Sequence, residues 1–315
     1  MPANAIGLCS TIGLAKETVY GTAVVAAAYW EVISSSMDHE LKRVVAPGIG
    51  ACVAPTRRTR QQVDAGGQIE MLAHYEGIGM WIEAAMGASA SSAGPAPYTH
   101  TYTLAKDLDS YTLEEWRGDD DEDIYTGCVV DQLVLSGANG GEIRGRWTWI
   151  ARDGSRQGVG TTQSMTSDEH VETYHNGNMT FNAVTYTDVE SFELTLNNKL
   201  RKRYHMWSLY TAKPVRNENA EITLKIVREE STQTLYDAHH AGTTGDVVLS
   251  WTNPVSGSVW EITLQNADPE SYSSPLTSPG IRKETVTFRG FATIAQRLQG
   301  LEIKVINTQA SAVAA

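Results

Sequence analysis

At 315 residues and 34.3 kDa, with 41% hydrophobic and 20% charged side chains, the chain can bury a full core, which excludes a disordered protein. Its formal charge of -12 excludes a grip on nucleic acid by phosphate neutralisation, which needs clustered Lys and Arg. No apolar run reaches the roughly 20 residues of a membrane span, and the start MPANAIGLCSTIGLAKETVYG lacks the basic and apolar regions of a signal peptide. Three cysteines (Cys9, Cys52, Cys128) with no CxxC or Cys/His spacing predict neither a disulfide framework nor a zinc site, and imply synthesis in the cytosol.

Period-two alternation runs through the chain and predicts short, half-buried strands. Ile69, Met71 and Ala73 share one face, with Glu70 and His74 opposite. Ile143, Gly145, Trp147 and Trp149 repeat the pattern, as do Phe192, Leu194 and Leu196. Further along come Ile222, Leu224 and Ile226, then Trp260, Ile262 and Leu264, then Val286 and Phe288. Turn chemistry at Asn139-Gly140-Gly141, Asn253-Pro254 and Pro279-Gly280 separates the runs. The expected fold is mainly β, antiparallel sheets packed as a sandwich or barrel.

Two segments break the rhythm. Glu76 to Gly87 predicts a short helix whose stripe is Ile78, Trp81, Ile82 and Ala85, stopped by a glycine. Ser231 to Gly242 has the same character, with Ser231 or Thr232 as expected N-cap. Aligning Gly87 with Gly242 sets Ile69 and Met71 on Leu224 and Ile226, which points to a tandem duplication of one β-rich unit. The expected division is a first unit over 1–152, a linker over 153–168, a second unit over 169–307 and a frayed tail over 308–315. Leu41 to Gly67 and Arg201 to Asn219 are expected to be irregular connections, the first long enough to be functional or ordered by a partner.

No enzyme signature is present: GxSxG, P-loop and strand-to-helix GxGxxG motifs are all missing. His239-His240, beside Tyr236 and Asp237, lacks the i, i+4 spacing of a helical metal pair and reads as exposed or packed histidines. His170, His175 and Glu172 fall in a loop with no better claim. Neither catalysis nor a cofactor is expected.

Several stretches, taken in order, resemble the tail tube (major tail) proteins of long-tailed, siphovirus-like bacteriophages. They are Lys16-Glu17-Thr18-Val19-Tyr20-Gly21-Thr22-Ala23, the strand at Tyr29-Trp30-Glu31, and Gly66-Gly67-Gln68-Ile69 leading to Gly77-Ile78-Gly79-Met80-Trp81. Tyr98-Thr99-His100-Thr101-Tyr102 and Tyr125-Thr126-Gly127-Cys128 complete the set. The resemblance implies two tandem tail-tube-like β-sandwich or β-barrel units, each flanked by a short helix, in a structural virion protein. It implies self-assembly into stacked rings, trimeric and pseudo-hexameric for a two-unit chain or hexameric otherwise, that conduct double-stranded DNA without specific binding. Its implied partners are other copies of the chain, a tape measure protein, and tail terminator and distal tail proteins, with no membrane. The implied location is the virion tail, after assembly in the host cytoplasm.

An acidic surplus lining such a bore would repel phosphate and keep DNA mobile. Two opposite charge clusters in expected loops are candidate inter-ring contacts: Arg57, Arg58 and Arg60 against Asp119, Asp120, Asp121, Glu122 and Asp123. The bland alternative for both clusters is a solvated surface. The other functional alternatives are a second kind of ring-forming tail or neck protein, or a carbohydrate-binding β-sandwich module suggested by the eight tryptophans.

Overall fold

The computed structural model describes residues 10–46, 57–92, 94–117, 122–157, 165, 173–275, 280–293 and 299–311. Its first part contains β1 (Ser10–Lys16), β2 (Tyr29–Glu31), β3 (Ser34–Ser35), β4 (Asp38–Ala46), β5 (Arg57–Leu72), α1 (Gly79–Met86), β6 (Gly87–Ser91), β7 (Tyr98–Leu104), β8 (Tyr111–Arg117), β9 (Glu122–Ala138), β10 (Arg144–Ala151) and β11 (Asp153–Gln157). Next come β12 (Gly177–Phe181), β13 (Val184–Tyr186), β14 (Val189–Asn197), β15 (Leu200–Tyr204), β16 (Thr211–Arg216) and β17 (Glu221–Glu229). Last are α2 (Thr234–Ala241), β18 (Gly245–Thr252), β19 (Val259–Ser273), β20 (Lys283–Arg289) and β21 (Leu301–Asn307).

Antiparallel pairing builds one long sheet in the order β3/β4, β5, β10, β9, β14, β17, β20, β19. Two side sheets fold back against it, β2-β1-β8-β9-β11 and β13-β12-β18-β19-β21-β7-β6. The two longest turning strands, β9 and β19, leave the long sheet and continue into a side sheet. Gly127 (φ 63°) and Asn266 (φ 46°) turn each corner from the left-handed region, where glycine and asparagine are least strained.

The pairing order itself repeats. The row β5-β10-β9-β8-β1-β2 has the counterpart β17-β20-β19-β18-β12-β13. The halves are tied together by β9 on β14 and by β7 on β21, and one hydrophobic cluster runs through both. Alternation does what the sequence predicts: Ile69, Met71, Trp147, Leu194, Leu224, Trp260 and Phe288 are all buried. Trp81 stands at the centre of the first half, edge-on to Trp30, Trp147 and Trp149 with centroids 5.4–5.8 Å away.

Both helices end where expected, with Gly87 (φ 95°) and Gly242 (φ 62°) in the left-handed region. At Gly87 a β-carbon would also sit 2.8 Å from Leu108, so only glycine fits. The start of α2 differs. Gln233 is the N-cap, and the Ser231 hydroxyl is turned away to donate to Asp188 at 2.7 Å.

Three stretches differ from the expectation of irregular chain. Leu41 to Gly67 is mostly a two-stranded ribbon, β4 on β5, paired from Asp38 opposite Gly66 to Ala46 opposite Arg57. Its signal is hidden because the ribbon is exposed on both faces, so polar Lys42, Arg43, Gln61 and Gln62 leave no alternation. Arg201 to Asn219 holds the hairpin β15-β16, and Asp153–Gln157, in the expected linker, is β11 on β9. In the expected tail, Gln309 accepts from the Gly77 backbone at 3.0 Å, and its carbonyl lies 2.8 Å from the buried His100 ring.

Candidate assembly surfaces

Some of the residues that carry the resemblance meet in a network around Glu17. Lys16 reaches the buried Glu83 of α1 at 2.7 Å, fastening β1 to the helix. Glu17, also buried, accepts from the backbone of Gly21 (2.8 Å) and Gly127 (2.7 Å) and from the Thr112 hydroxyl (3.1 Å). One carboxylate thus shapes the turn after β1 and holds the corner of β9. Arg152 donates to the Gly21 carbonyl at 3.1 Å and lies over the rings of Tyr20 and Tyr210.

Two strand edges are open. β3 and the start of β4 pair only with β5, and the Asp268–Ser273 part of β19 pairs only with β20, among the described residues. Open edges present unpaired N–H and C=O groups and are templates for another strand. Among the described residues, the long sheet therefore starts and finishes on edges that no further strand pairs.

One face of the long sheet is the core; the other is polar. On it Glu70, Arg146 and Thr195 lie in one cross-strand row, and Arg144, Ser136, Glu193 and Lys225 in the next. Glu221 and Arg289 stand further along it, 3.9 Å apart. The face mixes both signs, so the acidic surplus of the chain is not concentrated there. It also lacks the basic stripe that phosphate binding requires.

Two ribbons project beside each other. The β15-β16 hairpin leans on the β4-β5 ribbon: the Val63 backbone donates to Leu209 (2.9 Å) and Tyr204 Oη to Val63 (3.0 Å). Asp64 is clamped between Lys202 and Lys42, the latter at 2.7 Å. Those two ammonium partners hold its carboxyl below its ordinary value. At the hairpin tip Met206 and Trp207 are 84% and 98% exposed, and Trp207 adopts φ 76°. A non-glycine in the left-handed region is strained, and Met206 and Trp207 are the most exposed large apolar side chains among the described residues.

The sequence-predicted charge clusters fall as follows. Arg57, Arg58 and Arg60 lie on β5 opposite Ala46, Val45 and Arg43, with Arg58 and Arg60 exposed. Asp119, Asp120 and Asp121 lie outside the described residues. Glu122 and Asp123 are buried at the start of β9, and Asp123 pairs with Arg117 (2.5 Å) and Arg156 (2.8 Å) of the same chain. Burial opposes its charge, yet the Arg156 hydrogen bond and the Arg117 charge hold its pKa below the ordinary value. The tip residues Met206 and Trp207 were not legible as a site. Their only signal is an apolar pair placed between a basic run and turn residues.

His239 bonds the Pro269 carbonyl and His240 packs on Tyr236, so this pair is packing. Among the described residues, no three His, Cys, Asp or Glu side chains are grouped to hold a metal, and no helix is long and apolar enough to cross a membrane.

The profile of the phage tail tube protein family matches residues 7–290, nearly the whole chain. The chain belongs to that family. No curated protein matches it. For a tail tube protein the mainly β architecture, open sheet edges and projecting ribbons are features of a structural component.

Proposed function

We propose that this tail tube protein assembles with copies of itself into rings that stack as a hollow tube, through which double-stranded DNA leaves the virion. The observation that carries the reading is the long sheet, core on one face, polar on the other, and open at both ends. Adding the edge of one copy to the next satisfies both open edges, and a head-to-tail contact that closes by rotation makes a ring. Each chain brings two repeats, the halves over 1–152 and 169–307, so three chains supply six similar units. The polar face of the long sheet lines the bore in this reading. Its mixed charges, rather than the wholly acidic lining expected from composition, neither grip nor strongly repel phosphate.

The ribbons make the axial contacts. Arg57, Arg58 and Arg60 on one ring meet acidic groups of the next, with Asp119, Asp120 and Asp121 as the partners of choice because Asp123 is already paired internally. Exposed ion pairs contribute under about 1 kcal/mol each, so they set register while apolar tips supply affinity. The role is structural, without catalysis. The other partners are the tape measure, tail terminator and distal tail proteins, and the site of action is the virion tail after assembly in the host cytoplasm.

Negative-stain microscopy of the purified chain tests the reading. Rings or tubes with a central hole are expected, and solitary particles at every concentration would overturn it.

A further inference from the structure

The internal repeat holds a joint whose outer counterpart no strand fills among the described residues. We infer that ring closure copies the β9-β14 joint, with the Ser271–Ser273 edge of β19 in one copy pairing antiparallel with Ser34–Ser36, β3 and the residue after it, in the next. The inference rests on the ring reading above and assigns its lateral interface residue by residue.

The equivalence follows from the pairing registers. Ile69 of β5 faces Trp147 of β10, and its counterpart Leu224 of β17 faces Phe288 of β20. On the other side, Leu224 faces Leu194 of β14, while Ile69 faces Ser35 of β3. β3 therefore stands to the first repeat as β14 stands to the second. The far edge of β14 is filled by β9, with Leu194 opposite Leu135 and Glu193 opposite Ser136.

Carrying the register across assigns the missing pairs. Leu135 shares a row with Gly145 of β10, and Tyr272 shares the matching row with Val286 of β20. Ser35 of one copy thus falls opposite Tyr272 of the next, Ser34 opposite Ser273, and Ser36 opposite Ser271. Pro269 lacks an N–H and gives its carbonyl to His239, so the new pairing ends short of it. The register starts at Ser34, because Ile33 lies in the bend before β3 and gives its N–H to Glu70 at 2.8 Å.

The contact is head to tail, because the two edges are different surfaces, and it closes only when the last copy meets the first. In one chain the two edges lie at opposite ends of an eight-strand row, roughly 30 Å along the sheet, so Ser34 and Ser273 cannot meet internally.

Disulfide trapping decides it. In a chain carrying Cys9→Ser and Cys52→Ser, the pair Ser34→Cys with Ser273→Cys is assembled and then oxidised. Directly opposed antiparallel positions have Cα separations of about 4.5–5.5 Å, within disulfide range. The expected product is a covalent ladder that stops at the chain number of one ring. Either single variant, and Ser35→Cys with Ser273→Cys on opposite faces, stops at dimer or below. Hollow particles that fail to cross-link through 34 and 273 overturn the joint and leave the ring reading standing, whereas a parent chain that forms no hollow particles overturns both. Should the paired variant not assemble, amide exchange on tubes of the unmodified chain reads the same joint. Ile33 and Ser36 already donate to Glu70 and Gln68, so protection gained at Ser34, Ser35 and 271–273 supports it, and unchanged exchange there overturns it.

Discussion

Leu135 of β9 lies directly opposite Leu194 of β14, and both side chains are fully buried. This pair places the joint between the two repeats inside a shared core, so neither half has a hydrophobic interior of its own. Leu194→Ala is expected to cost about 2–5 kcal/mol. Guanidinium unfolding followed by tryptophan fluorescence and by far-UV circular dichroism should give one coincident transition at lower midpoint. Two separated transitions would contradict the shared core.

Glu17 is the acceptor for two backbone amides and a hydroxyl from three separate segments. Glu17→Ala strands those donors, and a loss of about 2–4 kcal/mol is expected from 1–3 kcal/mol per unsatisfied buried group with partial relaxation. Glu17→Gln keeps an acceptor oxygen and should recover part of the loss. Equal melting temperatures for the two variants would contradict this role.

Arg228 and Glu284 form a buried ion pair in the second half, 1% and 0% exposed at the side chain, and Tyr272 also donates to Glu284 at 2.7 Å. Burial, with that bond, raises the Tyr272 hydroxyl to about 12. Removing one charge by Glu284→Ala leaves the buried Arg228 with only the part-exposed Asp188, 3.2 Å away, as counter-charge, and should cost about 3–5 kcal/mol. Replacing both, as Arg228→Met with Glu284→Leu, should fall near neutral. A double variant as unstable as the single one, measured by chemical denaturation, would contradict the desolvation argument.

The clamp of Lys202 and Lys42 on Asp64 gives the paired ribbons an acid sensitivity. A carboxyl whose folded pKa is depressed adds stability above its ordinary value of 3.8, and that stability is lost as pH falls through the folded value. Exchange at the Val63 amide, which bonds Leu209, should therefore accelerate once pH drops below the ordinary value, beyond the intrinsic trend. Asp64→Asn should abolish the extra dependence. An identical profile in that variant would contradict the clamp.

The strands are legible in the sequence because each half-buried strand must alternate, as in Phe192, Leu194 and Leu196, and both helix stops because a left-handed position favours glycine. The ribbons escape the same reading for the opposite reason. Arg58, Thr59, Arg60, Gln61 and Gln62 are exposed in succession, on both faces, so no periodicity marks them. Nor does sequence tell that Asp123 is buried between two arginines, because its solvated-looking acidic run hides the start of a strand. The open edges are invisible for a deeper reason, since which strand lacks a neighbour is a property of topology.

Arg57→Ser, Arg58→Ser and Arg60→Ser together should leave the stability of the single chain unchanged within about 1 kcal/mol, as expected where Arg58 and Arg60 are exposed, while shortening tubes. Met206→Ser with Trp207→Ser should shorten them more, because the apolar tip supplies the axial affinity. Length distributions by electron microscopy read both. Tubes of normal length in both variants would remove the ribbons from ring stacking.

The central claim is that identical chains meet edge to edge around a hole, each bringing two similar units. Averaged end-on electron micrographs of the purified assembly, taken with its native mass, test it most directly. The account predicts six similar lobes around an open centre and a ring mass of three chains. A monomeric mass at all concentrations, or a closed-centred particle, would contradict it.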